Sequence, residues 1–141
     1  MFKIGSIFIP VTDIEKSTAW YETHLGVKKI ESWDGGVGFY LPTGSTQLAL
    51  VKVNNIQPTE FITHENQKNS YYNFVTDHIE AAHQHFINNG ITTTDITDFG
   101  GMKHFDFVDL DGNPFSVVSE VAASPFHSEN VRKMQERDLE R

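Results

Sequence analysis

The chain repeats itself. Val11-Thr12-Asp13 returns as Val75-Thr76-Asp77, and Gly26 returns as Gly90, both at an offset of 64 (75 − 11 and 90 − 26). Each copy has an apolar extended run, a Thr-Asp step, a helix-length stretch and a glycine that can end a helix. Two landmarks at one spacing define two structural modules of one kind. A chain of 141 residues has about one domain's length, so the modules must share that domain. Paired sheet modules tend to enclose a cleft, which turns attention to small-molecule chemistry.

Charge and cysteine content narrow the classes further. The formal charge is −8, from 19 acidic and 11 basic residues, with no Lys/Arg cluster dense enough to follow a phosphate backbone. Nucleic acid is therefore not an expected partner. Cysteine is absent, which removes disulfides, thiolate nucleophiles and Cys-zinc sites together. The apolar run from Ile4 to Ile9 is broken by Pro10, too early for a membrane span or a signal peptide. These features predict a soluble, cytoplasmic protein with no membrane partner.

Periodicity places the elements. A strand is expected over 2–11, then a helix capped by Thr12 or Asp13 and ended by Gly26. Strands at about 27–33, 37–41 and 46–53 complete module one (2–53). A polar linker spans 54–69. Module two (70–121) repeats the plan: a strand over 70–76, a helix opened by an Asp77/Glu80 capping box, and strands at about 92–99, 104–109 and 114–121. The predicted domain is 1–123, and 124–141 is a charged, helical tail. The fold class is α+β, two βαβββ modules giving a curved mixed sheet with helices outside.

This order of elements, with Val11-Thr12-Asp13-Ile14-Glu15-Lys16-Ser17, Trp20-Tyr21, His24-Leu25-Gly26-Val27 and Phe107-Val108-Asp109-Leu110-Asp111-Gly112-Asn113-Pro114-Phe115, resembles the vicinal oxygen chelate superfamily. That superfamily includes glyoxalase I, extradiol dioxygenases and the bleomycin- and fosfomycin-resistance proteins. The resemblance covers residues 2–121 and implies a ligand cleft and a homodimer. It also implies where metal ligands would sit. In this chain those positions hold Ser6, Ser70, Ser116 and Ala49, with Gln47 one step away. Small neutral side chains do not replace imidazole and carboxylate around a divalent ion, so neither a metal nor another cofactor is expected.

Strand parity gives the expected cleft lining: Ser6 and Phe8, then Ser70, Tyr72 and Phe74, then His104 and Asp106, then Ser116 and Glu120, with Trp33 and Tyr40 from module one. His104 and Asp106, two apart on one strand, are the candidate catalytic pair, the carboxylate orienting the imidazole. His78, His83 and His85 share no three- or four-residue spacing and are expected on a solvated helix surface. The leading expectation is metal-independent binding of a small, partly aromatic molecule, similar to the bleomycin-resistance branch. The alternatives are a lyase or dioxygenase with a displaced metal, an acid–base enzyme using His104, and a scaffold acting through its surface.

Overall fold

The computed structural model describes residues 1–140; Arg141, the last residue of the expected tail, lies outside them. In chain order the elements are β1 (Ser6–Val11), α1 (Ile14–Leu25), β2 (Lys28–Trp33), β3 (Gly36–Tyr40), β4 (Gln47–Lys52), β5 (Glu60–Ile62), β6 (Lys68–Ser70), β7 (Asn73–Val75), α2 (Ile79–Asn88), β8 (Thr97–Phe99), β9 (Met102–Val108), β10 (Pro114–Val118) and α3 (Ser128–Leu139). The sheet orders are β1-β4-β3-β2 and β7-β10-β9-β8. Each is the same plan, so the fold is α+β with two βαβββ modules. In each sheet a helix separates the first strand from an antiparallel meander, which brings the last strand back parallel to the first.

The chain forms two compact units, residues 1–69 with 108–114, and residues 70–107 with 115 onward. In the first, Asp13 caps α1 by accepting the Lys16 N–H at 3.0 Å. Gly26 ends the helix at φ 66°, a left-handed position that glycine takes without a Cβ penalty. α1 lies against β3 and β4. Tyr21, Ile9, Val11, Val37, Phe39, Leu48 and Leu50 are buried there, each large apolar side chain contributing roughly 1.5–3 kcal/mol.

The Asp-Leu-Asp-Gly-Asn turn belongs to this unit and is its polar clasp. Asp109 Oδ1 accepts the N–H groups of Asp111 and Asn113, both at 2.9 Å. Its Oδ2 accepts the Tyr21 hydroxyl at 2.6 Å and Asn113 Nδ2 at 2.8 Å. Asn113 Nδ2 also donates to the Pro10 carbonyl at 2.9 Å. Thr12 donates to Asp111 from its backbone N–H and its hydroxyl. Every buried polar group of the motif is thus satisfied, and the motif holds structure rather than ligand.

In the second unit, Phe105, Phe107, Phe115 and Val117 are buried with Ile79 and Phe86 of α2. The Phe86 ring stands edge-on to Phe107 at 4.7 Å and to Phe105 at 5.8 Å, a favoured aromatic geometry. The expected capping box does not form. His78, not Asp77, is the N-cap of α2 and makes no side-chain cap bond; Glu80 instead reaches Lys103 Nζ at 2.6 Å. The expected linker contains a hairpin, β5 with β6, closed by Thr63, Gln67 and a left-handed Asn66. His83 is only partly solvated: it is half-buried, bonded through Nε2 to the Thr94 carbonyl at 2.9 Å and edge-on to Phe105 at 4.9 Å.

Candidate functional site

Each four-stranded sheet has a core face and an open face. In the second sheet the core face is set by Phe105, Phe107, Phe115 and Val117. Their neighbours on β9 and β10, His104, Asp106, Ser116 and Val118, are half-buried on the other side. Thr97 lies opposite His104 across the β8–β9 pair. On β7, Asn73 is opposite Ser116 and Val75 is opposite Val118. Directly paired residues share a face, so the open face is Thr97, Phe99, His104, Asp106, Ser116, Val118, Asn73 and Val75.

The strand expected over 70–76 breaks in two. Ser70 ends β6 and pairs with β5, away from this sheet, and β7 begins at Asn73. Phe74 turns into the core, 5.5 Å from the Phe115 ring and 6.2 Å from the Phe107 ring. Ser70, Tyr72 and Phe74 therefore do not line the open face as parity predicted. The register makes Asn73 the counterpart of Phe8, and hence Tyr71 the counterpart of Ser6. A large apolar ring gains more from the core than from an open face, which sets the strand's phase.

His104 and Asp106 share a face but do not bond to each other. His104 Nδ1 lies 2.8 Å from the Thr97 hydroxyl, and the Phe99 ring stacks on the imidazole at 5.2 Å and 26°. Asp106 Oδ1 accepts the Ser116 hydroxyl at 2.6 Å. Residues i and i+2 on a strand are about 6.6 Å apart, whereas cross-strand partners are about 5 Å apart; each side chain found the nearer neighbour. If the Thr97 hydroxyl accepts from Nδ1–H, Nε2 is a base; if it donates, Nε2 carries the proton. Glu120 is drawn to α3. Its Oε2 accepts both the N–H and the hydroxyl of Ser128 at 2.7 Å, and the Ser128 hydroxyl bond holds its carboxyl below the usual carboxylate range.

In the first sheet the open face carries Phe8, which is 58% exposed, and Ala49 directly opposite it. Ser6 lies opposite Gln47. Trp33 pairs with Gly36, and a Cβ on Gly36 would lie 2.3 Å from the indole. A Cβ on Gly38 would lie 3.6 Å from it. The missing side chains at Gly36 and Gly38 leave a slot in which the indole lies against the backbone, with its outer side half exposed. Tyr40 is two residues further along the same face and is also exposed.

A model of the Glyoxalase/Bleomycin resistance protein/Dioxygenase superfamily matches residues 3–117. The chain belongs to this superfamily. Solved structures with the same fold include a superfamily member from Sphaerobacter thermophilus, at 26% identity and TM-score 0.66, covering 85% of this chain and 98% of that one. The fosfomycin resistance protein FosX of Listeria monocytogenes matches at 13% identity and TM-score 0.69, over 86% and 96%. The antibiotic binding protein TnmS3 from Streptomyces sp. CB03234 matches at 17% identity and TM-score 0.68, over 86% and 98%. No functionally curated protein matches the sequence.

The superfamily's metal enzymes set a test for these faces, and the donor set does not meet it. In the first sheet the seats are Ser6 and Ala49, with Gln47 beside Ser6. In the second they are Tyr71, at the place expected for Ser70, and Ser116, whose hydroxyl already donates to Asp106. None offers imidazole or carboxylate, and among the described residues no three His, Asp or Glu side chains converge. What sequence reasoning missed is Thr97, Phe99, Asn73 and Val75. Thr97 and Phe99 were recoverable: a two-residue turn at Gly100-Gly101 places Thr97 opposite His104.

Proposed function

We propose that the chain binds a small, partly aromatic organic molecule on the open faces of its sheets, without a metal ion. The observation that carries this reading is the pairing on the second sheet of a stacked Phe99–His104 platform with the polar Ser116–Asp106 pair. An aromatic ring can stack on the platform, while Asp106 orients a donor or cationic group. The mix of aromatic surface with few fixed polar groups is that of a ligand site. Superfamily membership and the antibiotic-binding and fosfomycin-resistance structures of the same fold support the class. Phe8, Trp33 and Tyr40 add stacking surface on the first sheet. We further infer a cytoplasmic homodimer.

A thermal-shift screen with bleomycin, fosfomycin and planar aromatic amines tests the reading. A ligand at about 100 times its Kd should add about 2.7 kcal/mol of stability. His104→Ala and Asp106→Asn should each weaken that ligand by about tenfold or more. A screen without a hit, or hits indifferent to both substitutions, counts against the site.

One observation favours a second reading, acid–base catalysis by His104. Its imidazole is anchored at Nδ1 by Thr97, which orients a ring for proton transfer. Under this reading His104→Ala abolishes turnover of a bound ligand and leaves its Kd nearly unchanged.

A further inference from the structure

The two modules diverge at one equivalent place. α1 and α2 begin at Ile14 and Ile79, so Glu15 and Glu80 are both second residues of their helices. In module two Glu80 crosses to Lys103 on β9 and closes the gap between helix and hairpin. The Lys103 carbonyl accepts the Ser119 N–H, and at the equivalent place in module one the Gly35 carbonyl accepts the Lys52 N–H, so the counterpart of Lys103 is Gly35. With no amine there, Glu15 has nothing to close onto. A cavity of about 430 Å³ remains, lined on one bank by Ile14, Glu15 and Thr18 and on the other by Lys29, Ser32, Trp33 and Val37. The side chains of Glu15 and Lys29 form no ion pair among the described residues.

We propose that this groove binds a small zwitterion, an amino acid with an apolar side chain, its ammonium at Glu15 and its carboxylate at Lys29. Opposite charges on opposite banks match the two ends of such a molecule. Thr18 and Ser32 supply hydroxyls, and Ile14 and Val37 supply an apolar wall. The volume falls within the range of small-molecule sites. Exposed charges attract modestly, which sets the affinity near about 1 mM. The site uses none of the second-sheet residues of the ligand face proposed above and borders the first-sheet stacking surface at Trp33.

The test is an amide NMR titration of the full 15N-labelled chain with L-leucine and L-phenylalanine to about 10 mM. L-phenylalanine amide and N-acetyl-L-phenylalanine each lack one of the two charges. The expected result is saturable shifts at the amides of Glu15, Thr18 and Ser32. Each single-charge analogue should bind about tenfold more weakly, and so should Lys29→Ala and Glu15→Gln. Absence of saturable shifts for both amino acids, equal shifts from the analogues, or indifference to Lys29→Ala would overturn the proposal.

Discussion

Tyr21 shows how one hydroxyl can join a helix to a distant turn. Burial, then the nearby Asp109 charge, push its phenol above the normal tyrosine range, and the hydroxyl donates to Asp109 at 2.6 Å. A group whose folded pKa is raised adds stability that is complete below the unfolded value of about 10 and is lost as pH rises above it. Tyr21→Phe should cost about 1–3 kcal/mol at neutral pH. Denaturant titrations should also show a smaller loss of stability for the variant than for the parent chain above about pH 10. Gly36 is the second test at this scale. Gly36→Ala sets a Cβ 2.3 Å from the Trp33 indole, so the ring must leave its slot. About 1–3 kcal/mol of stability should be lost, with a red-shifted Trp33 emission. At this scale the sequence showed which face His104 and Asp106 occupy, because the Asp109 turn fixes the strand's phase. It did not show their partners, Thr97 and Ser116, since those depend on cross-strand register.

Among elements, both helices, the meanders and the glycine at each helix end were legible from periodicity and turn chemistry. The corrections to Tyr72, Phe74 and the α2 cap share one cause. The Thr-Asp landmark repeats at 64, but the register equates Phe8 with Asn73, and the helix starts equate Ile14 with Ile79, both offsets of 65. A slip of one residue moves every side chain of a strand to the other face, which carried Tyr72 and Phe74 to the wrong side. The same slip puts His78, not Asp77, at the cap. Glu120 marks another contact that strand parity does not reveal: it is engaged with Ser128 at the start of α3. Its depressed pKa means that this attachment is complete above the ordinary Glu range near about 4.3 and weakens as pH falls through the lower folded value. The protection factor of the Ser128 amide, corrected for the intrinsic pH dependence of exchange, should fall on acidification. Glu120→Gln should show the lower protection already at neutral pH.

For the whole molecule, the repeat carried most of the information. It predicted two βαβββ modules, and the family model over residues 3–117 agrees with the resemblance drawn from the motifs. The reaction was not legible, because one scaffold hosts both catalysts and binders and only the site separates them. The donor set bears only on metal chemistry: the seats that would hold metal ligands carry Ser6, Ala49, Tyr71 and Ser116. The most direct test is ligand-induced thermal stabilisation measured before and after dialysis against EDTA, and again after adding Zn²⁺ or Mn²⁺. The account predicts the same ligand shift in all three conditions. A shift that vanishes on chelation and returns with the metal would contradict it.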